Sequence, residues 1–314
     1  MNRLHLFAVN VAWRVLKKGP HSRPQIRRRD KVVAVPFARV GPTARTLRVA
    51  VAMHIFYPDL APAMRATAEN IPAPADVYVS TDSEAKAAAI RTTFAGWDRG
   101  SVEVRVCPNR GRDMLSKFVA FPDALQAHDL VLFLHSKRSM HFYDGQSDWG
   151  DTLYRTLAGS SAIVQSVLRM FEADDRLGVV IPEYFDLVRK WVNWGGNRRG
   201  TGALAERLGI DLGQARALDF PAGSMFWCRP AALKPLFDLH LTAADFPDEA
   251  GQVDRTLAHE LERVMLFVAE KAGYRWLKVV APDLYRNRRN RIVVPDAALL
   301  PGAVEAAYAP LLPG

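Results

Sequence analysis

Cysteine is nearly missing from this chain. The two present, Cys107 and Cys228, form neither a CxxC nor any metal-ligand spacing, so a disulfide framework and a zinc module are both excluded and a reducing compartment fits best. Acidic residues are almost absent from residues 1–48, where Asp30 stands alone against twelve lysines and arginines, a local charge of +11. Because the whole chain carries +9, the remainder is left at −2. A near-neutral body with a basic arm lacks the footprint of a domain that wraps nucleic acid over its folded face, and nucleic acid is set aside as a partner. Internal repeats and low-complexity tracts are also lacking. What remains, 314 residues of which 49% are apolar, is enough for one large α/β core with appendages.

The arm carries its own pattern. Leu4, Phe7, Ala8, Val11 and Val15 recur at helical spacing, while Arg3, Asn10, Arg14 and Lys17 fall on the opposite face. Its apolar length is well short of the roughly 18 residues that cross a bilayer. The run Arg27-Arg28-Arg29 follows, and clustered cations gain about 1 kcal/mol each at an anionic surface. This pattern reads as an interfacial helix on an anionic membrane surface, peripheral on the inner face of the cytoplasmic membrane, or else as an amphipathic helix packed on the body. Residues 1–47 are therefore read as arm and linker, 48–295 as the folded domain and 296–314 as a C-terminal tail.

Within the body, short apolar runs alternate with helical patterns. Strands are expected at 49–56, 77–80, 102–106, 130–134 and 177–181, with helices at 61–69, 84–94 and 115–127, the last bent at Pro122. Strands separated by helices of this length imply right-handed crossovers and a mostly parallel sheet flanked by helices. In such a sheet ligands bind beyond the carboxyl ends of the strands.

Several candidate residues lie at those ends. His54 closes the first strand and Asp82 the second, where a carboxylate can accept hydrogen bonds from a nucleotide base or cap the next helix. The loop Asn109-Arg110-Gly111-Arg112-Asp113 must turn at its glycine and then start a helix, which makes it a site for phosphate built from backbone donors and guanidinium groups, or a solvated turn in which Asp113 caps the helix and pairs with Arg112. The strand at 130–134 runs into His135-Ser136-Lys137-Arg138, where a fixed cation such as Lys137 can neutralise a diphosphate. A lone histidine makes a poor oxygen-ligand site, so no cofactor is expected and a divalent cation is not favoured. Trp191, Trp194 and Trp227 offer flat faces for an acceptor sugar, or pack inside the fold. Asp248, Glu249 and Asp254 form an acidic segment ahead of a helix at 256–272, which Asp254 can also cap and which places His259, Glu262 and Arg263 along one face.

The segments Val51-Ala-Met-His-Ile-Phe-Tyr-Pro-Asp-Leu, Val77-Tyr-Val-Ser-Thr-Asp, Pro108-Asn-Arg-Gly-Arg-Asp, Leu134-His-Ser-Lys-Arg-Ser, Phe220-Pro-Ala-Gly-Ser-Met-Phe-Trp-Cys-Arg-Pro and Asp245-Phe-Pro-Asp-Glu-Ala-Gly-Gln-Val-Asp-Arg-Thr-Leu-Ala-His-Glu-Leu-Glu-Arg resemble the rhamnan synthesis protein F family over about residues 48 to 280. More distantly, their order is similar to that of the GT-A glycosyltransferases. The resemblance implies a GT-A-like domain and an inverting hexosyltransferase of bacterial cell-surface polysaccharide synthesis. It would move a sugar, such as rhamnose from dTDP-rhamnose, from a nucleotide-sugar donor to a lipid-linked glycan acceptor. It also implies a catalytic base in the acidic segment, Asp254 first and Glu249 second, which takes the proton of the attacking hydroxyl. Where those enzymes carry carboxylates at the strand tip, this chain has His135-Ser136-Lys137. That departure leaves a second reading, a non-catalytic sugar- or nucleotide-binding scaffold of a polysaccharide assembly complex.

Overall fold

The structure, a computed structural model, describes residues 31–41, 43, 45–72, 74–136, 148–189, 191–249, 254–285 and 288–313. The helix expected in the arm and the candidate Lys137 lie outside the described residues.

Nine strands form one sheet: β1 (Val32–Ala34), β2 (Val49–His54), β3 (Ala75–Thr81), β4 (Val102–Val106), β5 (Leu130–His135), β6 (Leu177–Pro182), β7 (Phe226–Cys228), β8 (Arg275–Val280) and β9 (Arg291–Ile292). Their order is β4-β3-β2-β5-β7-β6-β8-β1-β9, and every pairing is parallel except those of β7 with β5 and β6. The fold is mixed α/β with a mostly parallel sheet, as expected. Alternation of side chains gives each face its own core. Ala50, Ala52, Val131 and Phe133 point to one layer, and Val49, Val51, Met53, Leu130, Leu132 and Leu134 to the other.

On the first face lie α1 (Arg112–Leu115), α2 (Arg198–Arg207) and the long α3 (Leu257–Lys271), whose Leu261, Val264, Met265 and Phe267 are buried. Opposite them, the helix Ser161–Ala173 buries Val164, Val167, Leu168 and Phe171. The helix expected at 115–127 is broken. A single π-helical stretch, Ser116–Ala120, leads to Phe121 (φ −138°, ψ 40°), and a new helix starts at Pro122, which cannot donate to the preceding turn.

Two regions differ from the linker and tail of the sequence reading. Strand β1, within the stretch read as a linker, sits between β8 and β9 with Val32 and Val33 fully buried. Residues Leu300–Ala307 form a helix that buries Leu300, Ala303, Val304 and Ala307, and Glu270 accepts hydrogen bonds from the Leu311 and Leu312 amides at 2.8 Å. A three-residue apolar strand is too short to stand out from proline-rich surroundings, and the tail helix is held by partners far away in sequence.

The chain leaves β4 at one edge and returns to β5 on the other side of β2. The crevice beyond the carboxyl ends of β2 and β5 is therefore a switch point of the sheet, where open α/β folds place their ligands.

Candidate functional site

His54 and His135 are register partners at this switch point. The His54 Nδ1 lies 2.9 Å from Ser80 Oγ on the neighbouring strand tip. His135 Nε2 donates to the Gly223 carbonyl at 2.7 Å, which fixes the proton on that nitrogen in the neutral ring. Ser136 Oγ accepts from the amides of Phe56 and Tyr57 at 2.9 and 3.1 Å, so it shapes the loop after β2. At the end of β3, Ser83 caps the next helix and Asp82 pairs with Lys86 at 2.6 Å. The Lys86 ammonium also lies over the Phe56 ring.

Between these tips, from the first turn of α1, comes Asp113. Its carboxylate pairs with Lys117 one turn further on, and both are buried. Burial alone would raise the Asp113 carboxyl, but the Lys117 ammonium, with His135 and His54 nearby, outweighs it and holds Asp113 well below the usual carboxylate range. Burial pushes His54 down to about 4, so its imidazole is neutral at pH 7. The centre is a pinned anion, its buried cation and two histidines.

The loop that delivers Asp113 is backbone-strained. Gly111 (φ +66°) and Arg112 (φ +53°) are both left-handed, and a Cβ at Gly111 would lie 2.5 Å from the Phe246 ring. Only glycine lets Phe246 pack there. Asn109 is exposed. Arg110 forms a β-bridge to Asp248 and an ion pair with it at 2.5 Å. The Arg112 amide donates to Glu249 Oε1 at 2.8 Å, and its guanidinium stands 3.7 Å from Oε2. The arginine loop and the acidic segment, separate in the sequence, are thus neighbours that neutralise one another.

Asp254 has a different task from helix capping, since the N-cap of α3 is Thr256. Asp254 Oδ1 accepts from Asn197 Nδ2 at 2.5 Å and Oδ2 from the Gly196 amide at 3.2 Å, while Asn197 Oδ1 accepts from the Arg255 amide at 2.9 Å. These bonds tie the glycine-rich loop before α2 to the start of α3. Next to them, His259 Nδ1 lies 2.8 Å from Thr256 Oγ1, and burial, reinforced by Arg112, lowers His259 to about 4.

A further carboxylate completes the ring. Glu262 Oε1 accepts from the Gly223 amide at 3.2 Å and from Ser224 Oγ at 3.0 Å. Burial raises the Glu262 carboxyl, and the charge of Asp113 pushes the same way. Gly223 (φ +90°) and Ser224 (φ +55°) are a second left-handed pair. Arg112, Ser224 and Arg255 supply three of the four non-glycine residues with positive φ among the described residues, and all three belong to this cluster. Strain of this kind persists where surrounding structure over-determines it and gathers at ligand sites.

The tryptophans correct part of the sequence reading. Trp227 is fully buried and donates to the Leu157 carbonyl at 3.0 Å; Trp194 stacks on Phe267 with centroids 6.1 Å apart. Both are core residues, because their strand and loop face inward rather than into the crevice. Trp191 is half-buried. Sequence reasoning passed over Lys117, although Asp113 and Lys117 have the i, i+4 spacing of a helical ion pair, and over Asn197, which carries no local signal.

The nine-stranded, mostly parallel sheet flanked by helices, with arginines and a helix start beside its switch point, defines an α/β domain. The model of the family described as rhamnan synthesis protein F matches residues 29–274, and the chain belongs to that family, which serves polysaccharide synthesis. It is also similar to a protein named "Uncharacterized protein WxcX" from Xanthomonas campestris pv. campestris strain B100, with 34% identity over 229 residues. The protein of the same name from strain ATCC 33913 matches to the same extent. The match covers 72% of this chain and 32% of either relative, so the chain spans about a third of the length of the curated relatives it matches.

Proposed function

We propose that this chain is a GT-A-like glycosyltransferase of bacterial cell-surface polysaccharide synthesis. It takes a sugar from a nucleotide-sugar donor, rhamnose from dTDP-rhamnose being the first candidate, and transfers it to a lipid-linked glycan. The observation that carries this reading is the strained arginine–glycine loop, which brings Asp113 to the strand tips His54 and His135 at the switch point of the sheet. There the donor's base and ribose would meet the tips of β2 and β3 near Asp82, and the diphosphate would meet Arg110 and Arg112. The family resemblance points to Asp254 and Glu249 for the base, although protein partners already engage both, Asn197 and Gly196 at Asp254 and Arg112 at Glu249.

A panel of dTDP-, UDP- and GDP-sugars, read by release of nucleoside diphosphate, tests this. Turnover on at least one donor is expected, and because fixed cations rather than a metal would neutralise the diphosphate, it should survive EDTA. Loss of turnover on chelation with recovery on manganese would overturn the cationic grip. The second reading, a silent sugar-nucleotide binder, is favoured by the pairing of Arg110 and Arg112 with Asp248 and Glu249. Tight dTDP binding without release from any donor would select it.

The basic arm supports a peripheral place on an anionic membrane; no helix among the described residues is long and apolar enough to cross one. Full-length protein should sediment with anionic liposomes at 0.1 M salt and progressively less towards 1 M, as the Debye length falls from about 10 to about 3 Å. A variant lacking residues 1–30, which keeps β1, should not sediment. Equal sedimentation of the two would place the anchor elsewhere.

A further inference from the structure

Most carboxylates gathered at the crevice are already committed to structural partners. Asp113 is matched to Lys117, Asp254 uses both oxygens on the 196–197 loop, and Glu249 faces Arg112 with both of its own. Glu262 differs. Its Oε1 takes two hydrogen bonds from the strained 223–224 turn, whereas Oε2 accepts none among the described residues. The Arg263 guanidinium stands 3.8 Å from that oxygen, held off by its own bonds to the carbonyls of Asn193 and His259 at 3.2 and 3.0 Å. The turn that fixes Oε1 also accepts from His135 through the Gly223 carbonyl, so Glu262 is locked to the tip of β5.

We propose that Glu262 is the proton acceptor of the transfer step, with its Oε2 directed at the hydroxyl of the acceptor sugar. This rests on the glycosyltransferase reading above. In the step, the hydroxyl oxygen forms the bond to the anomeric carbon and the bond from that carbon to the diphosphate oxygen breaks. Its electron pair leaves on the nucleoside diphosphate, and the hydroxyl proton passes to Glu262. Atoms and charge balance without another reactant.

The charged groups facing Glu262 fit the role. Burial and Asp113 raise its proton affinity, while Arg263 keeps the ionised form accessible. Lys117 holds Asp113 as a permanent anion. Two carboxyls whose environments drive their proton affinities apart divide the labour, one staying charged and the other carrying the proton.

The test uses the full chain and its E262Q, E262D and D254N variants, each checked for melting temperature. Release of nucleoside diphosphate is measured with the donor panel, and dTDP binding by calorimetry. E262Q should lower kcat by about 10²-fold or more and leave dTDP affinity within about threefold, the signature of an interaction made in the transition state. The acid limb of the wild-type kcat profile should shift in E262D. An E262Q enzyme within about threefold of wild type overturns the proposal, as does a D254N enzyme that loses kcat by about 10²-fold without loss of Tm while E262Q does not. If E262Q fails to fold, E262D decides, because a carboxylate drawn back by one methylene should lose at least about tenfold in kcat, and an unchanged kcat overturns the assignment. Wild-type protein inactive on every donor overturns the glycosyltransferase reading and this inference with it; an active wild type with an indifferent Glu262 removes the inference alone.

Discussion

Replacement of Lys117 by methionine is expected to cost about 3–5 kcal/mol of folding stability, the range seen when one partner of a buried ion pair is removed. The ammonium is buried against Asp113 and lies 5.5 Å from the centroid of Phe133, so methionine fills the space but abandons the carboxylate. Asp113 would then have to be buried as an unpaired anion or take up a proton. In the double variant Asp113→Asn, Lys117→Met the orphaned charge is gone, and much of the loss should return. Urea unfolding of the four proteins checks the cycle. A single Lys117→Met within about 1 kcal/mol of wild type would mean that water reaches the pair and that the crevice is wetter than its burial indicates.

The same pair shows what was legible in the sequence. The alternation of apolar runs and helical patterns places β2 to β6 within a few residues, because a buried parallel strand such as Leu130–His135 is a short continuous apolar run bounded by polar residues, too short for a helix of ordinary length. The arginine–glycine loop is visible as a turn that opens a helix. The partners of its charges are not. Arg110 meets Asp248 and Arg112 meets Glu249 across about 137 residues, through an isolated β-bridge that no local pattern encodes. Asp254 looks like a helix cap because it stands next to a helix start; its real partner, Asn197, is 57 residues away. Trp227 likewise passes for a sugar-stacking ring until β7 is seen to lie antiparallel between β5 and β6, in the middle of the sheet. Strand and helix periods are local consequences of backbone geometry, whereas ion pairs and burial at the crevice depend on how the crossovers bring remote loops together.

Convergence of four loops on one crevice has an electrostatic consequence. The strand tips, the arginine loop, the 223–224 turn and the start of α3 bring charges of both signs into a partly buried volume, where the effective dielectric is low and each pairing affects its neighbours. Arg112 depresses His259, Asp113 raises Glu262, and Lys117 offsets Asp113. A substitution at one of these positions should therefore alter the titration of the others, and activity lost at Arg112 or Asp113 is not by itself evidence of contact with substrate.

Acid should unfold this protein well before its paired carboxylates titrate, and histidines should be the cause. His54 and His259 both have folded values lowered to about 4 against an ordinary 6.5. For a basic group depressed by burial, the unfolded chain binds more protons than the folded one between those two values. Its contribution is thus fully present above pH 6.5 and is lost as pH falls towards 4. At about 1.4 kcal/mol per unit, each histidine contributes at most about 3 kcal/mol over that interval, less for His259, which keeps some contact with water. Glu262 acts in the opposite sense, since a carboxyl raised by burial favours the folded state once it is protonated, and it offsets part of the loss. Asp113, held below the usual range, stays ionised in the folded protein, and it adds to the loss only at the acid end of the window, where the unfolded carboxyl begins to take up protons. Urea midpoints measured from pH 7 to pH 4 should fall steeply below 6.5. His54→Gln and His259→Gln, which cannot take up the proton, should each flatten the curve while shifting its upper plateau by a smaller amount. If neither variant changes the slope, the histidines are charged in the folded state, and the crevice holds two more cations than its geometry implies.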